Sequence, residues 1–166
     1  TIDASMSIDE SRFEVQRTEV GDSAVSWRLR TWGEFGGEPT GSWFFPDVSL
    51  CPDGIYAAVQ LTKIAKREKL STLIDKLPSY YLSRWSLKAS ESVIPKIEEC
   101  LLRIKPNMIE RVDGLKFIYD FGWILVRQSG TEPKIRITVE TRSKSKLVEI
   151  CEGITNIINN TNGMDC

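Results

Sequence analysis

Arg127-Gln128-Ser129-Gly130-Thr131-Glu132-Pro133-Lys134-Ile135-Arg136 joins two strand-like runs, and its reading decides the second half of the chain. Before it, Trp123 to Arg127 is an apolar run that follows the turn Asp120-Phe121-Gly122. After it, from Lys134 to Thr141, Ile135, Ile137 and Val139 alternate with Arg136, Thr138 and Glu140, the period-2 signature of a strand in a half-covered sheet. The covered face requires a helix, and Leu147, Ile150, Cys151, Ile154, Ile157 and Ile158 supply one at helical spacing. The loop has the chemistry of an anion site. Backbone N–H groups of Ser129, Gly130 and Thr131 can turn inward as a nest for a phosphate, and Gly130 brings the backbone freedom a nest requires. Arg127 and Arg136 each offer a planar fork that matches two phosphate oxygens, and Lys134 adds to the positive field. The competing reading is a hairpin-like loop with two solvated arginines.

Further upstream, Asp113-Gly114 signals a hairpin with strands at about 109 to 112 and 115 to 119. Ile94, Ile97, Leu101 and Ile104 define an amphipathic helix with Pro95 in its first turn, ended by Lys105-Pro106-Asn107. Tyr81 to Ala89 reads as one more strand, and Pro78 to Ser83 as the boundary between two modules. In the first module, residues 1 to 20 read as short extended segments. A helix follows from Asp22 or Ser23 to about Trp32, with Val25, Leu29 and Trp32 on one face and Gly33 ending it. Trp43-Phe44-Phe45 is a short strand closed by Pro46, its aromatics read as core. Ile55 to about Lys69 is a helix with Ala58, Val59, Leu61 and Ile64 on a broad apolar side. Its basic tail reads as a solvated C-terminus complementing the helix dipole. A short helix from Ser71 is stopped by Pro78. The expected architecture is α/β plus α+β: a partial three-layer α/β module at 1–77, then at 78–166 an antiparallel sheet with helices packed on one face.

Three stretches carry a family resemblance. Phe121 to Ile137 closely resembles the phosphate-binding loop in the C-terminal domain of the α-D-phosphohexomutases, which include phosphoglucomutase, phosphomannomutase and phosphoglucosamine mutase. Gly36 to Asp47, with Asp53-Gly54 after it, resembles the sugar-recognition loop of the third domain of that family, and Arg17 to Asp22 resembles a segment that precedes it. The resemblance implies the end of domain three and all of domain four of a four-domain enzyme. Such an enzyme interconverts hexose 1-phosphate and hexose 6-phosphate through a phosphoserine and a bisphosphate intermediate. It further implies that Arg127, Ser129, Gly130 and Thr131, with Arg136 beside them, hold the phosphate that is not being transferred, and that Glu38 and Thr40 hydrogen-bond the sugar hydroxyls. The catalytic serine and the Mg2+-binding aspartate loop belong to other domains of that family, so no catalytic or metal-binding residue is expected here and the isolated chain is expected to be inactive. The family often carries serine and histidine where Thr40 and Ser42 stand. Threonine keeps the hydroxyl, whereas Ser42 cannot titrate as an imidazole. The resemblance leaves open which groups near Gly21 and Asp22 face the ligand and does not choose among glucose, mannose and glucosamine. The alternatives from other classes are a non-catalytic module that binds phosphorylated ligands and a purely structural domain.

Composition excludes several other classes. A chain of 166 residues with 41% hydrophobic and 27% charged residues is of ordinary globular character, able to bury a core without staples. A net charge of −1 argues against a general nucleic-acid binder, so an anion site must be local. Cys51, Cys100, Cys151 and Cys166 show no metal-ligand spacing and histidine is absent, which argues against zinc. Cys100 and Cys151 fall on apolar helix faces, the usual place for buried reduced thiols. With no signal-peptide pattern or membrane-spanning apolar run, the expected location is the cytoplasm, and no membrane partner is expected. The chain opens abruptly at Thr1 without methionine, which reads as a C-terminal piece of a longer protein whose N-terminal domains are its partners.

Overall fold

The computed structural model describes residues 1–88, 93–130 and 132–162, with the backbone alone for 158–162. The backbone divides into two compact units, Thr1–Ser79 and Tyr80–Cys166.

In the first unit, residues 1–13 form successive turns where extended segments were expected. The cause is Arg17, whose guanidinium donates to the carbonyls of Thr1, Ala4 and Ser5 and pairs with Asp9 Oδ2 at 2.6 Å, gathering the turns around one cation. Helix α1 runs Asp22–Leu29 and buries Val25 and Leu29. It stops before Trp32, and Gly33 follows at φ +93. Strands β1 (Gly36–Gly37) and β2 (Trp43–Phe44) pair as a hairpin. Gly36 is needed there because an added Cβ would meet Leu29 Cδ1 and Val25 Cγ1, each at 2.7 Å. Phe44, fully buried, joins Val25 and Leu29 in a small core. Helix α2 (Gly54–Ala65) is capped by the Asp53 carboxylate, which accepts from Tyr56 N at 2.8 Å. Helix α3 spans Leu70–Asp75. The broad apolar side expected of α2 exists in the sequence but lies largely exposed, with Ile55 at 84% and only Ala57 of this helix buried. A hairpin of two-residue strands is too small to cover it.

The second unit is a five-stranded antiparallel sheet in the order β3-β7-β6-β5-β4, built from Tyr81–Leu87, Met108–Glu110, Leu115–Tyr119, Gly122–Gln128 and Ile135–Thr141 in chain order β3 to β7. Helices α4 (Ile94–Arg103) and α5 (Lys144–Asn162) cover one face, as expected. Pro95 sits in the first turn of α4, where its missing N–H costs nothing. Ile97 and Leu101 of α4 and Ile150 and Ile154 of α5 pack on Phe117, Ile124, Val126, Ile137 and Val139. Each such side chain, fully buried, contributes about 1.5–3 kcal/mol of transfer free energy. The expected strand end at Ala89 and the helical residue Ile158, as a side chain, lie outside the described residues.

One strand departs from the half-covered pattern. Thr138 and Glu140, on the helix-free face of β7, are 8% and 3% exposed, and only Arg136 of the three polar positions reaches solvent. Glu140 is matched there: Trp123 Nε1 donates to Glu140 Oε2 at 2.7 Å, and Lys116 Nζ lies 4.7 Å from the Trp123 ring centroid. Cys100 and Cys151 are only half-buried and Cys51 is exposed, all three as free thiols. No described helix is long and apolar enough to cross a membrane.

Candidate functional site

The β6–β7 loop is built by ladder register. Arg127 lies directly opposite Arg136, and the Ser129 N–H to Lys134 carbonyl bond, 2.8 Å, carries the pairing further. Because side chains alternate along a strand, Arg127, Ser129 and Arg136 fall on the same face, the one that carries no helix. Two cations directly opposite each other destabilise a sheet unless an anion lies between or beside them. One anion is supplied from within the unit. Asp113 Oδ2, in the β4–β5 turn, accepts from Arg127 Nη1 at 3.0 Å. Arg136 is exposed.

Ser129 is 6% exposed, and its Oγ is buried with no hydrogen-bond partner among the described residues. Buried hydroxyls are nearly always matched, which makes the Ser129 hydroxyl, close in sequence to Arg127, an exception among the described residues. Gly130 is exposed, and its φ is not among the positive values found at Gly21, Gly33, Gly41, Gly114 and Gly122. The backbone freedom expected of it is not drawn on; the loop instead tightens through the Lys134 N–H to Glu132 carbonyl bond at 2.7 Å. Thr131 lies outside the described residues. Lys134 does not add freely to the positive field either. Its Nζ is 2.9 Å from Glu132 Oε1, and this hydrogen bond, more than the charge of Arg136, holds the Glu132 carboxyl below the usual carboxylate range.

The first unit places its expected residues in one turn. Glu38-Pro39-Thr40-Gly41 closes the β1–β2 hairpin, with the Gly41 N–H donating to the Glu38 carbonyl and the Glu38 N–H to the Ser42 carbonyl, both at 3.0 Å. Pro39 pre-sets the turn and Gly41 takes φ +95. Thr40 is exposed at the tip and Ser42 is half-buried. The Glu38 carboxylate is anchored by Gly21, whose N–H donates to Oε1 at 2.7 Å from the start of α1. Gly21 is held at φ +125, a conformation that side chains disfavour. Its contact with Glu38 had no signal in the sequence, since 17 residues separate the two. Asp22 is exposed in the first turn of α1. Among the described residues no cluster of three His, Cys, Asp or Glu side chains is placed to hold a metal ion.

Two family models match the chain: "Phosphoglucomutase/phosphomannomutase, alpha/beta/alpha domain III" over residues 4–81 and "Phosphoglucomutase/phosphomannomutase, C-terminal domain" over residues 83–157. A probable phosphoglucosamine mutase of Methanosarcina acetivorans is 41% identical over 92% of this chain and 37% of its own length. A probable phosphoglucosamine mutase of Methanopyrus kandleri is also 41% identical, over 95% of this chain and 37% of its own length. A phosphoglucosamine mutase of Methanococcus maripaludis is 37% identical over 87% of this chain and 35% of its own length. The chain thus spans little more than a third of these relatives. A phosphoglucomutase/phosphomannomutase family protein from Burkholderia thailandensis, known from its crystal structure, superposes with a TM-score of 0.70 at 26% identity, over 87% of this chain and 32% of that one.

Proposed function

The chain belongs to the phosphoglucomutase/phosphomannomutase family, and from that premise we propose that it is the substrate-gripping part of a cytoplasmic phosphoglucosamine mutase. In that reading a phosphoserine elsewhere in the enzyme passes its phosphoryl group to a glucosamine monophosphate. The resulting bisphosphate turns over, and the other phosphate returns to the serine. The relatives' names support glucosamine as the sugar. The observation that carries the phosphate role is the cross-strand pair Arg127 and Arg136 with the unmatched, buried Ser129 hydroxyl on the same face.

Arg127 is the fork for two oxygens of the phosphate that stays in place. Ser129 offers its hydroxyl, Gly130 its backbone N–H, and Arg136 a second positive charge. Thr131 takes part by its place in the motif. Glu38 keeps Oε1 on the Gly21 N–H and presents Oε2 to sugar hydroxyls, with Thr40 beside it at the turn tip. Phosphoryl transfer draws most of its acceleration from positioning and charge stabilisation, so residues that never touch the transferred group still contribute to the rate. These residues supply grip, and the donor serine and the metal act from the rest of the enzyme, its N-terminal domains. The test is calorimetric titration of the chain with glucosamine 6-phosphate, alongside a turnover assay with magnesium and a bisphosphate primer. Binding without turnover is expected. Absence of binding would remove the phosphate role.

A further inference from the structure

The contact between Asp113 and Arg127 has a function beyond closing a hairpin. We propose that Asp113 is a positioning residue for the phosphate fork, an inference that rests on the phosphate role of Arg127. Two independent observations support it. First, Asp113 Oδ2 takes a single guanidinium nitrogen, Nη1, at 3.0 Å, with both side chains mostly buried at 23% and 17% exposure. Nη1 is the nitrogen on the side of Cδ, so the Nε–Nη2 edge, with its two parallel N–H bonds, donates to no described atom and stays available for a bidentate oxyanion. Second, the turn is pressed against Arg127 itself. Gly114 stands at φ +82, and an added Cβ would lie 2.4 Å from the Val126 carbonyl oxygen, 2.6 Å from Arg127 Cβ and 2.9 Å from Arg127 Cα. Only glycine permits that approach, and the approach is what delivers the neighbouring Asp113 carboxylate to Arg127. The β5–β6 register, with Leu115 opposite Val126, sets Gly114 across from Arg127, so one ladder holds both the turn and the fork.

The sign of the effect separates positioning from simple charge. A carboxylate beside an anion site repels the anion, so if Asp113 were only a counter-charge its removal would tighten phosphate binding. If it pins the guanidinium, its removal frees a side chain with large rotamer entropy and weakens binding. Asp113→Ala is therefore expected to bind glucosamine 6-phosphate about tenfold more weakly than the parent chain, the scale of one charge-assisted hydrogen bond. Asp113→Asn keeps an acceptor oxygen at the same reach and is expected to stay within about threefold of the parent. An independent readout needs no ligand: the Arg127 Nε–H signal in 15N NMR spectra is expected at a distinct position in the parent and in Asp113→Asn, and at the averaged position of mobile arginines in Asp113→Ala. Tighter or unchanged binding by a folded Asp113→Ala, or an Arg127 signal indifferent to the substitution, overturns the role of Asp113 while leaving the proposed function standing. A parent chain that binds no glucosamine 6-phosphate removes both.

Discussion

Replacing Arg127 with lysine keeps the charge opposite Arg136 but loses the planar fork, so the loss reports geometry and not field. Binding of glucosamine 6-phosphate is expected to weaken about tenfold or more, in line with about 1.5–3 kcal/mol for a hydrogen bond to a charged group. Calorimetry on Arg127→Lys checks this, and unchanged affinity would mean that charge alone suffices. A second residue gives a pH signature. Burial pushes the Tyr119 phenol up from 10.0 to about 12, while its hydroxyl donates to the Leu101 carbonyl at 2.9 Å. The folded state holds this proton more tightly than the unfolded state, so the contribution to stability is complete below pH 10 and is lost as pH rises through about 12. Urea unfolding at pH 9 and at pH 11.5 is expected to show an alkaline loss on the order of 1–2 kcal/mol that Tyr119→Phe reduces. At this scale the placement of residues was legible where they share one short stretch, as the strand–loop–strand run puts Arg127 opposite Arg136. It was silent where partners come from afar. Arg17 holds three carbonyls of the first turns, Gly21 anchors Glu38, and Asp113 reaches Arg127 across 14 residues, none of which leaves a local pattern.

Among elements, hydrophobic period and turn chemistry located the strands and helices of the second unit to within a few residues, because each strand buries one face under α4 and α5. The period failed as a guide to exposure on β7. Alternation distinguishes apolar from polar positions, yet Glu140 is buried on the polar side because Trp123 is there to match it. The opposite failure occurs on α2, whose apolar side is present in sequence but exposed within its own unit. Turns are the more exacting elements. Gly122 begins β6 at φ +148, and an added Cβ would fall 2.0 Å from the Glu140 carbonyl oxygen, which is backbone and cannot swing aside. Gly122→Ala is expected to destabilise the fold by about 2 kcal/mol or more, read as a lowered urea midpoint at unchanged slope. Alanine at Gly130, with open space around it and an ordinary φ, is expected to be near neutral in the same experiment.

The whole chain carries two candidate recognition turns, one in each unit: Glu38 lies in the first and Arg127 in the second. The sequence expectation set the boundary at Pro78 to Ser83; the backbone divides after Ser79, and Tyr81–Ser83 already belong to β3. Two modules and their order were legible because each has its own apolar pattern and a proline-bearing break. In the proposed function the Arg127–Ser129 turn reads phosphate oxygens and not sugar carbons, as a mutase that holds its sugar both ways round requires. Its most direct test is a 15N NMR titration of the chain with glucosamine 6-phosphate and, separately, with glucosamine 1-phosphate. Both esters are expected to shift the same signals, the Ser129 and Gly130 amides and the Arg127 and Arg136 side-chain Nε–H groups, with affinities within about tenfold of each other, a difference of about 1.4 kcal/mol. Shifts confined to one ester, or lying away from this turn for both, would contradict the account.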